Sequence, residues 1–442
     1  MSPGSSVVRA LSTDLYEIKM AASYLRRGMK EPATFSLFIR RIPSSRGYLV
    51  AAGLEDCLSY LENLRFDPDE LEYLSRIGFD DRDLESLAAL RFTGEVRAIP
   101  EGRVVLANEP LLEVTAPIAE AQLVETYLLN QITFQTAMAS KAARCVTAAG
   151  EIELFDFALR RTHGIEAADA LARLCAIAGF KGTSNVSAAC HFGLTAVGTM
   201  AHSYIEAFAK EEDAFRAFAE DFPERSVFLV DTYDTPTGVD RAAELISRLR
   251  LHDTAVRIDS GDLARLSREA RRRLDAAGLN STRVFVSGGV DEHALERFVA
   301  DHDPIDAAGI GVMLGVSYDA PTLDSAYKLV EIDGRPTMKL SPERVNLPGA
   351  KQLWRSASVF EDILGVRDET GPVGGEALLG VVMQGGKRVG EPDSIKQAAD
   401  RLQKDLARLP EEARRVRSPI APSAAVSVEL TSLADRVADT PR

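Results

Sequence analysis

The 442-residue chain has no run of five or more lysines and arginines, which removes the usual footprint of a nucleic-acid or anionic-membrane partner. Its balance is acidic, 52 Lys and Arg against 66 Asp and Glu for a formal net charge of −14. An anionic ligand therefore needs a local basic pocket inside an acidic protein. There is no apolar stretch of the roughly 18 residues that a membrane span requires, and Met1 to Thr13 lacks the apolar segment of a secretory signal. The four cysteines, Cys57, Cys145, Cys175 and Cys190, stand far apart with no CxxC. That pattern predicts buried free thiols and a cytosolic, cytoplasmic location. No Ser-His-Asp order and no nucleophile elbow is present. What is there is ordinary: 45% hydrophobic and 27% charged residues suit a globular protein with a sizeable core, and a prior of about 150 residues per domain gives two or three domains.

The chain reads in zones. Residues 1–10 are expected to be disordered. Residues 11–118 mix helix and strand: a helix capped by Thr13 or Asp14 and stopped at Gly28, then strands at Thr34–Ile39, Gly94–Pro100, Arg103–Ala107 and Leu111–Pro117. Residues 119–320 are more regular. After a long apolar helix ending near Ala149, strand candidates fall at Ile152–Phe157, Gly182–Asn185, Thr195–Thr199, Val227–Asp231, Ala255–Asp259, Arg283–Ser287 and Ile305–Gly311, each followed by a helical pattern. Seven such units predict a closed or nearly closed parallel βα barrel, with an open doubly wound sheet as the alternative. In residues 321–395, Tyr327–Asp333 and Arg335–Leu340 form a hairpin around Asp333-Gly334. Residues 396–442 are helical at first, and their Ala/Ser/Pro-rich end is expected to be partly disordered.

Polar residues gather at the C-terminal ends of the middle strands, the face on which βα barrels build their sites. They are Arg160 and Arg161, Thr199 and His202, Asp231 and Asp234, Arg257, Asp259 and Asp262, then Ser287-Gly288-Gly289, and Gly309 with Gly311. The two glycine groups suit a phosphate, because glycine lets backbone N–H groups close on an anion and a helix N-terminus adds favourable partial charge. Arg160, Arg161 and Arg257 can hold a carboxylate or phosphate bidentately, with structural ion pairs to the many nearby acids as the lesser alternative. The carboxylates lack a His/Cys metal pattern and suit Mg²⁺ held through water and substrate oxygens, or a ribose diol. A lone histidine is ordinarily structural, and His163 competes with His202 for any catalytic role.

Several stretches together resemble the nicotinate phosphoribosyltransferase family: Thr13-Asp14-Leu15-Tyr16, Phe38 to Pro43 with Gly47 to Gly53, Arg160-Arg161, Gly182-Thr183-Ser184-Asn185 and Gly198–Ser203. Asp231-Thr232-Tyr233-Asp234-Thr235, Arg257–Leu263, Ser287-Gly288-Gly289, Tyr327-Lys328-Leu329 and Met338-Lys339-Leu340 extend it over roughly residues 11 to 390. The resemblance implies an α/β fold, an irregular βα barrel of type II phosphoribosyltransferase kind plus an α/β sandwich domain built from both chain ends, usually as a homodimer. It implies transfer of 5-phosphoribosyl from phosphoribosyl pyrophosphate to nicotinate, giving nicotinate mononucleotide and pyrophosphate for NAD synthesis. Mg²⁺ assists, and ATP as co-substrate is coupled through a phosphohistidine. The residues that match are Tyr16, Thr199 and Arg257 for nicotinate and His202 for the phosphohistidine. Asp259 and Asp262 fall to ribose and metal, and Arg160, Arg161, Ser287, Gly288, Gly289, Gly309, Gly311 and Val312 to the phosphates. Val312 stands where many relatives have a threonine, and Thr162-His163 replaces a small-Gln pair. Nicotinamide or quinolinate as the base, and a non-catalytic sensor of these metabolites, are the rival readings.

Overall fold

The computed structural model describes residues 10–224, 226–340 and 346–440. The disorder expected at residues 1–10 therefore lies outside the described residues, except for Ala10, which is buried. The chain divides into two compact units, one running to Ala137 and resuming at Thr322, the other covering Met138–Pro321. The boundary expected at 118/119 moves into the helix Glu125–Ala149, because Leu128, Ile132 and Ala137 belong to the first unit's core.

In the first unit both chain ends meet in one sheet. Its strands run in the order Arg335–Pro336, Ser325–Ile332, Pro32–Ile39, Pro110–Pro117, Glu95–Ala98, Gly380–Gln384, Lys387–Arg388. The central strand Pro32–Ile39 is buried along all but its first residue, so its apolar run faces cover on both sides. The hairpin turns where the sequence places it, with Asp333 and Gly334 both at positive φ and Ile332 paired to Arg335, though its second strand has only two residues. The first helix, Leu15–Arg26, starts in a capping box of Asp14 and Glu17.

The C-terminal region departs from expectation. The helix expected at its start is Ile395–Arg408, but the end expected to be partly disordered forms the helix Val428–Asp439, with Ala398, Leu402 and Leu430 fully buried. What holds it is ionic. Arg355, 0% exposed, donates to Asp362 through Nε at 2.8 Å and NH2 at 2.6 Å. Its NH1 reaches Asp405 of the first of these helices at 2.6 Å, and NH2 also reaches the Val104 carbonyl at 2.7 Å. Composition alone does not reveal such an anchor.

In the second unit the parallel strands run in the order Gly182–Thr183, Glu153–Asp156, Ala307–Ile310, Arg283–Val286, Ala255–Ile258, Val227–Leu229. The last strand in sequence pairs with the first, which is barrel closure on that side. The other side stays open. The expected strand Thr195–Thr199 is reduced to a single bridge between Thr183 and Ala196, because Thr199 and Met200 turn their polar atoms toward Arg257. Three cysteines are buried as expected, but Cys190 is exposed. Among the described residues no helix is long and apolar enough to cross a membrane.

Two outcomes follow from buried charge. Arg355→Leu strands the buried Asp362 carboxylate and leaves Asp405 to Arg103, and should lower unfolding free energy in urea by about 3–5 kcal/mol; a loss no larger than that of an exposed pair, below about 1 kcal/mol, would contradict the anchor. Burial pushes the Glu17 carboxyl from 4.5 up to about 7, so the folded chain keeps a proton that the unfolded chain has lost. That stability is fully present below about pH 4.5 and is lost as pH rises through about 7. Denaturation followed against pH should show Glu17→Gln flattening the decline across this window.

Candidate active site

Arg257 lies near the end of its strand, 8% exposed, and a buried guanidinium must satisfy its donors locally. Nε donates to the Ser287 hydroxyl at 2.8 Å, and NH1 to Thr199 Oγ1 at 2.9 Å and the Met200 carbonyl at 3.4 Å. NH2 donates to Asp259 Oδ1 at 2.8 Å. Ser287 in turn donates to the same Asp259 oxygen, and the guanidinium carbon sits 5.3 Å above the Phe157 ring. Four of the five N–H donors are thus committed. The open fork expected for a bidentate carboxylate is already engaged, leaving one NH2 hydrogen.

The neighbouring strand ends continue the network. Asp231 Oδ2 accepts from the Asp259 backbone N–H at 3.0 Å and from Ser260 Oγ at 2.6 Å, while its Oδ1 is buried without a partner. His202 opens the short helix His202–Glu206, and its Nδ1 lies 3.1 Å from Thr232 Oγ1. That contact fixes the ring two residues beyond the carbonyl that meets Arg257. Asp262 is exposed and caps the helix Leu263–Ala276 by accepting from the Arg265 N–H at 3.1 Å; Asp234 caps the helix Thr235–Leu249 in the same way. Arg160 and Arg161 stand exposed in the turn after Glu153–Asp156 and, among the described residues, their side chains make no hydrogen bond or ion pair.

The residues expected to cradle phosphate separate into two kinds. Ser287 is 2% exposed and its hydroxyl is spent on Arg257 and Asp259. Gly309 lies inside its strand, where a Cβ would come within 2.6 Å of the Phe157 ring, so its missing side chain makes room for the ring under Arg257. Gly288 and Gly289 differ from these two. Both are exposed with φ of +83° and +71°, and the N–H groups of Gly288, Gly289 and Val290 donate to nothing among the described residues. A helix of nine residues, Glu292–Ala300, begins just beyond, so free donors and helix dipole act together. Gly311 precedes the short helix Val312–Gly315, and Val312 is exposed without a hydroxyl to offer.

Tyr16, in the other unit, is 48% exposed and donates to Glu17 Oε1 at 3.1 Å. Thr126 Oγ1 donates to the same oxygen at 2.8 Å. Phe157, Thr232 and the second carboxylate oxygen of Asp231 were not singled out by sequence reasoning; an aromatic at a strand end carries no signal that distinguishes it from core. For a metal, no group of three His, Cys, Asp or Glu side chains among the described residues has ligand geometry. Mg²⁺ carried on substrate oxygens needs only one or two carboxylates, and the unpartnered Asp231 oxygen fits that need.

Arginine, histidine, carboxylates and uncommitted backbone N–H groups thus gather at one mouth of a βα-barrel unit. Comparison with known proteins makes this more particular. The sequence profile of the nicotinate phosphoribosyltransferase (NAPRTase) N-terminal domain matches residues 11–133, and that of the nicotinate phosphoribosyltransferase (NAPRTase) family matches residues 152–301. The chain is 46% identical over 445 aligned positions to nicotinate phosphoribosyltransferase pncB2 of Mycobacterium tuberculosis, covering 98% of this chain and 95% of that one. The crystal structure of human nicotinic acid phosphoribosyltransferase superposes with a TM-score of 0.86 at 28% identity, covering 96% and 99% of the two chains. The nicotinate-nucleotide pyrophosphorylase of Pyrococcus furiosus, at 24% identity and a TM-score of 0.77 over 92% and 97%, shares the fold. The chain belongs to the nicotinate phosphoribosyltransferase family.

The glycines can be told apart by experiment. A Cβ at Gly288 would sit 1.9 Å from the Asp259 carbonyl oxygen, whereas at Gly311 the nearest atom is the Phe157 oxygen at 3.4 Å. A side chain at Gly288 therefore meets backbone that one at Gly311 does not. Gly288→Ala should abolish binding of ribose 5-phosphate by calorimetry in a protein that still folds, and Gly311→Ala should change it little; the reverse order would refute the assignment.

Proposed function

We propose that this protein is a nicotinate phosphoribosyltransferase, transferring 5-phosphoribosyl from phosphoribosyl pyrophosphate to nicotinate. The observation that carries the reading is the Arg257 network at the barrel mouth, joined to the uncommitted N–H groups of Gly288, Gly289 and Val290. The pyridine nitrogen already holds a free lone pair, so the nucleophile needs no base. It forms the bond to C1 of the ribose as the bond from C1 to pyrophosphate breaks. Catalysis then rests on positioning and on stabilising charge, which accounts for the missing triad.

In this reading the free NH2 hydrogen of Arg257 meets the nicotinate carboxylate, with Thr199 beside it. The backbone at Gly288 and Gly289, with Gly311, takes the 5-phosphate. Arg160 and Arg161, exposed and unpaired, take pyrophosphate oxygens. Asp231 and Asp259 face the ribose and the metal, and Asp262 completes that edge. Mg²⁺ supplies charge neutralisation of the leaving pyrophosphate. His202, oriented by Thr232, accepts the γ-phosphoryl of ATP on an imidazole nitrogen, releasing ADP, and water later removes it as phosphate. The coupled reaction, the homodimer and a place in NAD salvage from nicotinate belong to the same proposal.

The base separates this reading from its rivals. Nicotinamide has no carboxylate for Arg257, and quinolinate has two. Pyrophosphate release from phosphoribosyl pyrophosphate should be fastest with nicotinate and should rise further when ATP is added. Binding without release would instead indicate a sensor. Incubation with γ-labelled ATP should place an acid-labile, base-stable label on the wild type and none on His202→Ala. Undiminished label in that variant would move the phosphate elsewhere, first to His163.

A further inference from the structure

A cluster of buried charge in the barrel unit takes no part in this chemistry. Lys141, on the helix Glu125–Ala149, has a side chain only 1% exposed. Its Nζ lies 2.5 Å from Glu292 Oε2 and 3.1 Å from Asp319 Oδ1, and Arg144 NH2 stands 3.6 Å from Glu292 Oε1. Burial by itself would depress the ammonium, but Cys145, Glu292 and Asp319 outweigh it and hold Lys141 above the ordinary lysine value. Such a group is a costly way to fill a core, since well-packed apolar side chains commonly replace a buried ion pair with no loss of stability.

The positions of its partners give the cluster a purpose. Glu292 is the first residue of the helix that follows Gly288 and Gly289. Asp319 closes the turn that follows Gly311 and the short helix Val312–Gly315. One ammonium therefore spans the two turns at the barrel mouth. We infer that Lys141 is a positioning residue, which holds the Gly288-Gly289 turn and the 311–319 turn at the spacing that a sugar 5-phosphate requires. The inference rests on the phosphate assignment made above and extends it to residues that touch no substrate. Without the ammonium, Glu292 keeps Arg144 but the two turns lose the one cation that ties them together.

The test uses Lys141→Met and the triple variant Lys141→Met/Glu292→Gln/Asp319→Asn, in which the two carboxylates lose their charge together with the ammonium. Calorimetric titration with ribose 5-phosphate should show both variants weakened on the order of ten- to a hundredfold. The KM for phosphoribosyl pyrophosphate should rise by a similar factor, while the KM for nicotinate and the kcat at saturating donor stay at wild-type values. If Lys141→Met fails to fold, the triple variant decides alone. Wild-type affinity for ribose 5-phosphate in the triple variant, or equal rises in both KM values, would overturn the inference, as would a wild type that does not bind ribose 5-phosphate. A wild type that binds it but forms no nicotinate mononucleotide would overturn the nicotinate reading and leave Lys141 in its role.

Discussion

A buried guanidinium has to find every one of its partners inside the protein, and the barrel mouth is arranged around that demand at Arg257. Three strand ends and one loop converge on it: Asp259 from its own strand, Ser287 from the next, Phe157 beneath it, and the 199–200 segment above. The consequences spread outward. Gly309 is a glycine because Phe157 needs the space, and Gly288 lacks a side chain because the Asp259 carbonyl lies against it. The barrel remains open between Ala196 and Val227 because the chain there serves Arg257 rather than a neighbouring strand.

This arrangement also explains how a protein of net charge −14 can favour an anion. The committed arginine contributes a fixed charge of which one donor remains, Arg160 and Arg161 add exposed charge in the turn after Glu153–Asp156, and the Gly288-Gly289 turn adds neutral dipoles. Fixed dipoles and charges cost no reorganisation when negative charge arrives, which is the form of stabilisation that outweighs flexible surface pairs. An acidic exterior then leaves the mouth as the local exception.

Much of this was legible in the sequence. Alternation of β-branched segments with helical patterns located six of the seven strands to within about two residues, and the position of Arg257, Asp259 and Gly288 at strand ends followed from the barrel itself. The Asp333-Gly334 turn and the Asp14 cap were equally plain, since local chemistry decides both. What the sequence hid depends on partners distant along the chain. Nothing near Ser287 or Gly309 says that the first is consumed by an arginine thirty residues away or that the second faces an aromatic ring. The helical pattern after Gln397 was legible, but nothing in it shows that Asp405 anchors the helix to Arg355. The extra length of the Thr195–Thr199 candidate failed for the same reason, because a strand pattern cannot register a polar contact made across the fold.

The central claim is that Arg257 reads the carboxylate of the base, and the most direct measurement is the ratio of kcat/KM for nicotinate to that for nicotinamide in Arg257→Gln and in the wild type. Using a ratio cancels any damage to the network that both bases share. Loss of a charged partner in a desolvated site costs about 2–5 kcal/mol, so the ratio should fall by at least about thirtyfold. A ratio equal to that of the wild type would contradict the account, because Arg257 would then be holding the site together without touching the group that distinguishes the two bases.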